Sequence, residues 1–455
     1  QSHTKFNYTS SLNDFTFAND TGKILRQKNA SYKHYDLSQE FFCMIRDKHL
    51  LSAKIWYNND DRNLPATMTN TDPDHHETQE DNALRAILEY KYVEKNYNLL
   101  VRSALVDQYM HYVQAGVVDA SYRCYSSINR VRFSYSGIRN LTIKPGLDFN
   151  YDWVYAKSYN GLKTRSTTSL FAEIGYTIGK RISTSLILRE DLIDGKFIPI
   201  VPALGIEYKP FSKINLAVTA NLARNCRYPT LNDMFWEFYG NPDIKNETNY
   251  SCEMGATWNS GKIYRKFFIE ASLSGYYSLI SDMITWLPDT TTNLYRPKNV
   301  PEVLARGIEF GLNLKWEVLR FNLGIVANYN FCRSTYEKVD LASDSVKLGK
   351  QLMYIPVNTI NTTISLERWK FYCNYNFYYV SDRYTGNDNL TYMPAYYISN
   401  IIFGKNINLR NFILSLQLEI NNLMDLDYQS ISNRPMPGIN YAFTMKLALP
   451  RMKGQ

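Results

Sequence analysis

The chain has 455 residues, with 51 basic and 43 acidic side chains, a formal charge of +8, 37 Tyr and 22 Phe. No run of about 18 apolar residues occurs, which excludes a membrane-spanning helix. The six cysteines, at 43, 124, 226, 252, 332 and 373, stand singly, without the CxxC spacing of a metal or redox motif.

From the N-terminus, alternation of apolar and polar side chains predicts about twenty strands. The first ten are 5–15, 36–46, 49–58, 82–92, 96–109, 125–136, 139–153, 167–177, 181–190 and 197–208. The second ten are 212–223, 248–258, 264–280, 303–316, 319–332, 351–366, 369–380, 395–404, 411–420 and 438–449. In 303–316, Leu304, Ile308, Phe310, Leu312, Leu314 and Trp316 share one parity, while Glu309, Asn313 and Lys315 share the other. A period of two sends these sets to opposite faces of a sheet. Arg306, on the apolar parity near a strand end, is read as interfacial, because a cation at the bilayer midplane costs about 2–4 kcal/mol.

Lengths of about ten to fourteen residues exceed the usual globular strand and match a tilted membrane-spanning one. Short turns, such as 46–49, 136–139 and 179–181, alternate with long loops at 59–81, 224–247, 281–302, 333–350 and 381–394. That asymmetry belongs to an all-β, antiparallel up-and-down transmembrane barrel with turns on one rim and loops on the other. The aromatic load suits two interfacial girdles. The expected location is a Gram-negative outer membrane, in contact with its lipid and lipopolysaccharide. Lys213, Asn215, Asn313, Lys315, Asn374, Asn376, Gln417 and Glu419 oppose the apolar parity and are predicted to line the lumen. Cys226 and Cys252 flank one loop closely enough to pair, but free thiols are expected.

Two stretches carry a family resemblance. Residues 224–247 read RNCRYPTLNDMFWEFYGNPDIKNE, and the C-terminal region holds Asn421-Asn422-Leu423-Met424-Asp425, Tyr428 and Arg434-Pro435-Met436-Pro437-Gly438-Ile439-Asn440-Tyr441. Together with 56–65 they resemble TonB-dependent outer-membrane receptors over nearly the whole chain, nearest to the cobalamin and siderophore receptors of Bacteroides-like bacteria. Asn246, Tyr239 and Ile439 depart from the residues usual in those motifs. The resemblance implies a 22-stranded barrel plugged by an N-terminal domain, so the expectation is an N-terminally incomplete barrel, 1–449, followed by a tail, 450–455. The plug and two strands are expected to lie outside the chain, as is the export signal, because Gln1-Ser2-His3-Thr4 is no leader.

The implied function is uptake of a scarce nutrient, cobalamin or a ferric siderophore, with energy delivered by a TonB–ExbB–ExbD complex through the missing plug. A surface lipoprotein is a further candidate partner. A passive porin and a barrel hydrolase are the rivals. A hydrolase needs a base near its nucleophile, and His111 with Ser121 or Ser126 is the pairing to consider. Trp236 and Tyr239 in the 224–247 loop, Trp286, and Tyr384 are the candidate ligand-facing aromatics. In that loop Pro229 and Pro242 fix the backbone, Asn232 and Asp233 can cap turns, and Gly240 permits a positive φ. Asp60, Asp61, Asp72 and Asp74 in the acidic stretch 59–81 offer the hard oxygen ligands that Ca²⁺ prefers. No other cofactor is required, and a solvated acidic loop is the simpler account.

Overall fold

The computed structural model describes residues 1–19, 21–70, 75–261, 266–288, 294–339, 346–410 and 412–449. Twenty long strands follow one another along the chain. The first ten are β1 (Ser2–Ser11), β2 (Tyr32–Ile45), β3 (His49–Leu64), β4 (Glu77–Val93), β5 (Tyr97–Gln114), β6 (Val118–Tyr135), β7 (Leu141–Ala156), β8 (Lys163–Ile178), β9 (Ile182–Ile193) and β10 (Val201–Tyr208). The second ten are β11 (Asn215–Arg227), β12 (Glu247–Asn259), β13 (Phe267–Pro288), β14 (Tyr295–Val318), β15 (Phe321–Lys338), β16 (Asn358–Arg368), β17 (Phe371–Val380), β18 (Tyr396–Asn408), β19 (Ile413–Asn421) and β20 (Asn440–Ala448). Each pairs antiparallel with the next, and a two-residue strand, Lys196–Phe197, completes a 21-stranded sheet.

The predicted alternation is realised strand by strand. On β2, Tyr35, Leu37 and Phe41 stand exposed on one face, while His34, Asp36, Ser38 and Glu40 occupy the other parity. On β14, Ile308, Phe310 and Trp316 are exposed opposite Glu309, Asn313 and Lys315. The exposed apolar face is the one a bilayer covers, and the polar face is the lumen wall. Of the predicted lumen residues, Lys213 lies in the 209–214 turn, just before β11.

Connections at one end are short, and two of them place both central residues in the left-handed region: Leu319 and Arg320 (φ 50° and 68°), and Trp369 and Lys370 (φ 50° and 66°). Such primed turns match the twist of the strands they join. At the other end the structure corrects the expected loops. β3 continues to Leu64 and β4 starts at Glu77, so 59–81 is mostly a hairpin; β13 and β14 run 22 and 24 residues into 281–302. Backbone pairing continues where the apolar parity stops, because Asp61, Glu80 and Asn82 replace apolar side chains on the outer face. The β13–β15 extension has its own small core of Leu287, Val300, Val303, Tyr336 and Val346.

Arg306, expected near a strand end, sits instead in the middle of the lengthened β14, three residues beyond the β-bulge at Glu302/Val303 and opposite Arg333 on β15. All six cysteines are thiols. The tail 450–455 lies outside the described residues.

Candidate ligand-binding mouth

The 228–246 segment between β11 and β12 folds into a lip. A short helix, α1 (Leu231–Phe235), begins at a reciprocal cap: the Asp233 backbone N–H donates to Thr230 Oγ1 at 3.1 Å, and the Thr230 N–H to Asp233 Oδ2 at 2.8 Å. Asp233 is 4% exposed and also accepts a 2.9 Å bond from Trp286 Nε1 on β13. Arg165 of β8 donates to the Pro229 carbonyl at 2.8 Å, the Glu237 N–H donates to the Ser158 carbonyl at 2.7 Å, and the Tyr159 hydroxyl donates to Asn232. Burial, then neighbouring Cys124 and Asp233, pushes the Tyr159 phenol up to about 12, so it stays a donor. Leu231 and Phe235 pack on a buried cluster of Cys124, Val154 and Tyr159.

Gly240 does not supply the positive φ. Its place is set by close approach, since a Cβ there would lie 2.8 Å from the Trp236 backbone nitrogen; Phe238 takes the left-handed conformation, at φ 67°. Three of the four predicted aromatics converge. The Trp236 ring centroid is 5.3 Å from Tyr239 and 5.6 Å from Trp286, and Trp236 remains 40% exposed. Tyr384 belongs to a different loop, paired with Tyr392, and its carbonyl accepts from the Tyr354 N–H at 2.8 Å.

A cavity of about 340 Å³ opens between loops from both ends of the chain. Phe17, Met68, Met393, Tyr396, Tyr428 and Met436 give it apolar walls, and Asp427, Gln429 and Asn433 give it polar points. Arg383, 4% exposed, holds the far wall: it donates to the carbonyls of Ser430 at 2.7 Å and Gln429 at 3.0 Å, and lies 5.0 Å from the Tyr396 ring. The Tyr396 and Tyr428 rings meet at 4.9 Å with a tilt of 38°, and burial raises both phenols. Below them Asn422, at φ 48°, donates to the Leu426 carbonyl at 2.8 Å and accepts from the Leu426 N–H at 3.0 Å. Asp425 accepts from the Ile439 N–H at 2.7 Å. The C-terminal motif therefore scaffolds this cavity. Apart from Tyr428, Pro435 and Met436 within that motif, no local pattern in the sequence marks its lining.

The acidic residues divide. Asp60 and Asp61 are successive residues of β3, so their side chains leave opposite faces and do not converge on one ion. Asp60 Oδ1 accepts from Tyr32 at 2.8 Å and pairs with His34 at 2.9 Å, while its Oδ2 accepts from Asn58 at 3.1 Å. Partial burial acts to raise its pKa, but these bonds prevail and hold the carboxyl below its ordinary value. Asp72 and Asp74 lie outside the described residues. His111 pairs through Nε2 with Asp119 at 2.9 Å rather than with Ser121 or Ser126, and the Ser126 hydroxyl donates to Asp152.

Comparison with known proteins places this architecture. The chain is 28% identical over 211 residues to the vitamin B12 transporter BtuB of Vibrio vulnificus, a match covering 46% of this chain and 30% of that protein. It is 26% identical over 220 residues to BtuB of Photobacterium profundum, covering 47% and 32%. The chain thus spans about a third of the length of the curated relatives it matches. The FrpB iron transporter of Neisseria meningitidis (F5-1 variant) superposes with a TM-score of 0.74 at 12% identity, covering 98% of this chain and 77% of that one. At that identity the likeness is one of fold. The family model described as TonB dependent receptor-like, beta-barrel matches residues 2–423, and the chain belongs to that family of receptors.

Proposed function

We propose that this chain is the barrel of an outer-membrane receptor that takes up a cobalamin-class nutrient, with energy supplied by TonB through a plug domain. The observation that carries the cargo is the match of nearly half the chain to two vitamin B12 transporters. The mouth supports it physically. A cavity with aromatic and thioether walls, together with an aromatic lip, can bury the edge of a large, partly apolar ligand, while a few polar points orient it. In this reading the barrel performs no chemistry; it supplies the rim, the lumen wall and the contact with lipid and lipopolysaccharide.

The test is growth of a strain deleted for the full-length gene. Loss of growth on limiting cobalamin, with normal growth on limiting iron, is the expected result. The reverse pattern would reassign the cargo to a ferric siderophore.

A further inference from the structure

The two halves of the lumen wall differ in how their polar side chains are engaged. Across β2–β9 they are tied into ion pairs: Lys54–Glu40 at 3.3 Å, Arg132–Asp148 at 2.6 Å, Lys144–Glu173 at 2.7 Å and Arg189–Asp191 at 2.8 Å, with Arg102–Glu89 beside them. Midway along β13–β16 the inward side chains are neutral amides and hydroxyls around one carboxylate, Glu309, while the inward charges Glu270, Lys315, Glu317 and Glu367 lie toward the turn end. A niche of about 320 Å³ is lined there by Ser272, Ser274, Glu309, Asn328, Asn330 and Asn361. Among the described residues none of these six side chains has a hydrogen-bond or ion-pair partner, and Asn330 Oδ1 is buried without one. Gly311 keeps the floor open, since a Cβ there would meet Ser272 Oγ at 2.6 Å. Glu309 lies roughly midway between the tight turn after Val318 and the bulge at Glu302/Val303.

From this contrast we infer that the β13–β16 wall is the face along which an uncharged, amide-rich cargo passes, with the Glu309–Asn330 niche as its resting point. The inference rests on the cobalamin-class reading, since a corrin carries a fringe of primary amides. Unpaired amides and hydroxyls exchange bonds to water for bonds to cargo at small net gain. A conducting surface requires that balance, because a site that holds tightly does not release. The ion-paired wall offers little, because its donors and acceptors already satisfy one another. Glu309 is the only charged group lining the niche, so it repels an anionic cargo and tolerates a neutral one.

The experiment uses the full-length receptor in its own outer membrane, with radiolabelled cyanocobalamin and its monocarboxylic acid derivative as probes. Binding to de-energised cells is measured separately from energised uptake. The double variant Asn330→Ala/Asn361→Ala is expected to bind cyanocobalamin at the surface like the parent, yet to take it up roughly five- to tenfold more slowly, the equivalent of one or two net hydrogen bonds. Glu309→Gln is expected to remove the parent's preference for the neutral probe over the acid. Parental uptake by the double variant, or an unchanged preference in Glu309→Gln, overturns the inference and leaves the cargo reading standing. If the double variant fails to assemble, Glu309→Gln with intact surface binding decides alone. Failure of the parent to bind or import cyanocobalamin overturns the cargo reading and this inference together.

Discussion

The indole N–H of Trp286 donates to Oδ1 of Asp233 at 2.9 Å, joining the long β13 extension to the lip 53 residues earlier in the chain. The other oxygen of the same carboxylate closes the helix cap with Thr230, so one buried side chain serves two structures. Asp233→Ala removes both partners at once. It is expected to destabilise the lip by about 2–3 kcal/mol, about 1 from the cap and the rest from a stranded indole donor. Trp286→Phe should cost about 1 kcal/mol, and the double variant less than the sum of the two. Hydrogen exchange of the 228–246 amides measures each. Strict additivity would show that the bond does not couple lip to strand.

The Asp60 carboxyl gives the mouth an acid limit. Hydrogen bonds from Tyr32 and Asn58, with its contact to His34, depress its pKa below the ordinary 3.8. A carboxyl depressed on folding contributes stability that is fully present above its unfolded pKa and is lost as pH falls through the folded one. The β2–β4 extension should therefore resist protease at pH about 5 and above, and loosen at pH values well below 3.8. Asp60→Asn lacks the titrating group and should flatten this dependence. An identical acid profile in parent and variant would assign the transition to other groups.

The strand order is testable by labelling. In a full-length receptor whose native cysteines are replaced, Leu390→Cys in the 381–395 loop should react with an impermeant maleimide on intact cells. Leu319→Cys, in the tight turn between β14 and β15, should react only after the outer membrane is opened. Both side chains are well exposed, so accessibility itself does not differ between them. The reverse pattern would invert the barrel.

Strand number and the alternation of turns and loops were legible because the bilayer imposes a period of two on residues such as Ile308 and Phe310, over strands longer than the usual globular ones. Beyond the bilayer that signal stops while pairing does not. Asp61 on β3 and Glu80 on β4 read as loop because their outer face is polar, yet they are ladder partners. The lip was legible as a turn-rich motif with aromatic side chains, and three of those aromatics meet. What sequence could not give is adjacency across hundreds of residues. Phe17, Met68 and Met436 share a cavity, and the Arg434 guanidinium reaches the Pro65 carbonyl 369 residues away.

That cavity depends on Arg383. Its guanidinium spans two successive carbonyls, Gln429 and Ser430, while its face lies against the Tyr396 ring, which meets Tyr428 at a tilt. A lysine keeps the charge but is a point donor that cannot match the fork or the stacking. Arg383→Lys should therefore leave one half-buried carbonyl unpaired and let the 429–435 segment swing away from Tyr396. The cost is about 1–3 kcal/mol locally, and cargo affinity should fall roughly tenfold for each 1.4 kcal/mol passed on to the bound state. Met393→Trp attacks the same space differently, filling the cavity while leaving Arg383 and its carbonyls in place. It should abolish tight binding without altering protease resistance of the 422–439 loop, whereas Arg383→Lys should change both. Parental affinity in both variants would place the cargo away from this cavity, against the Trp236 lip alone.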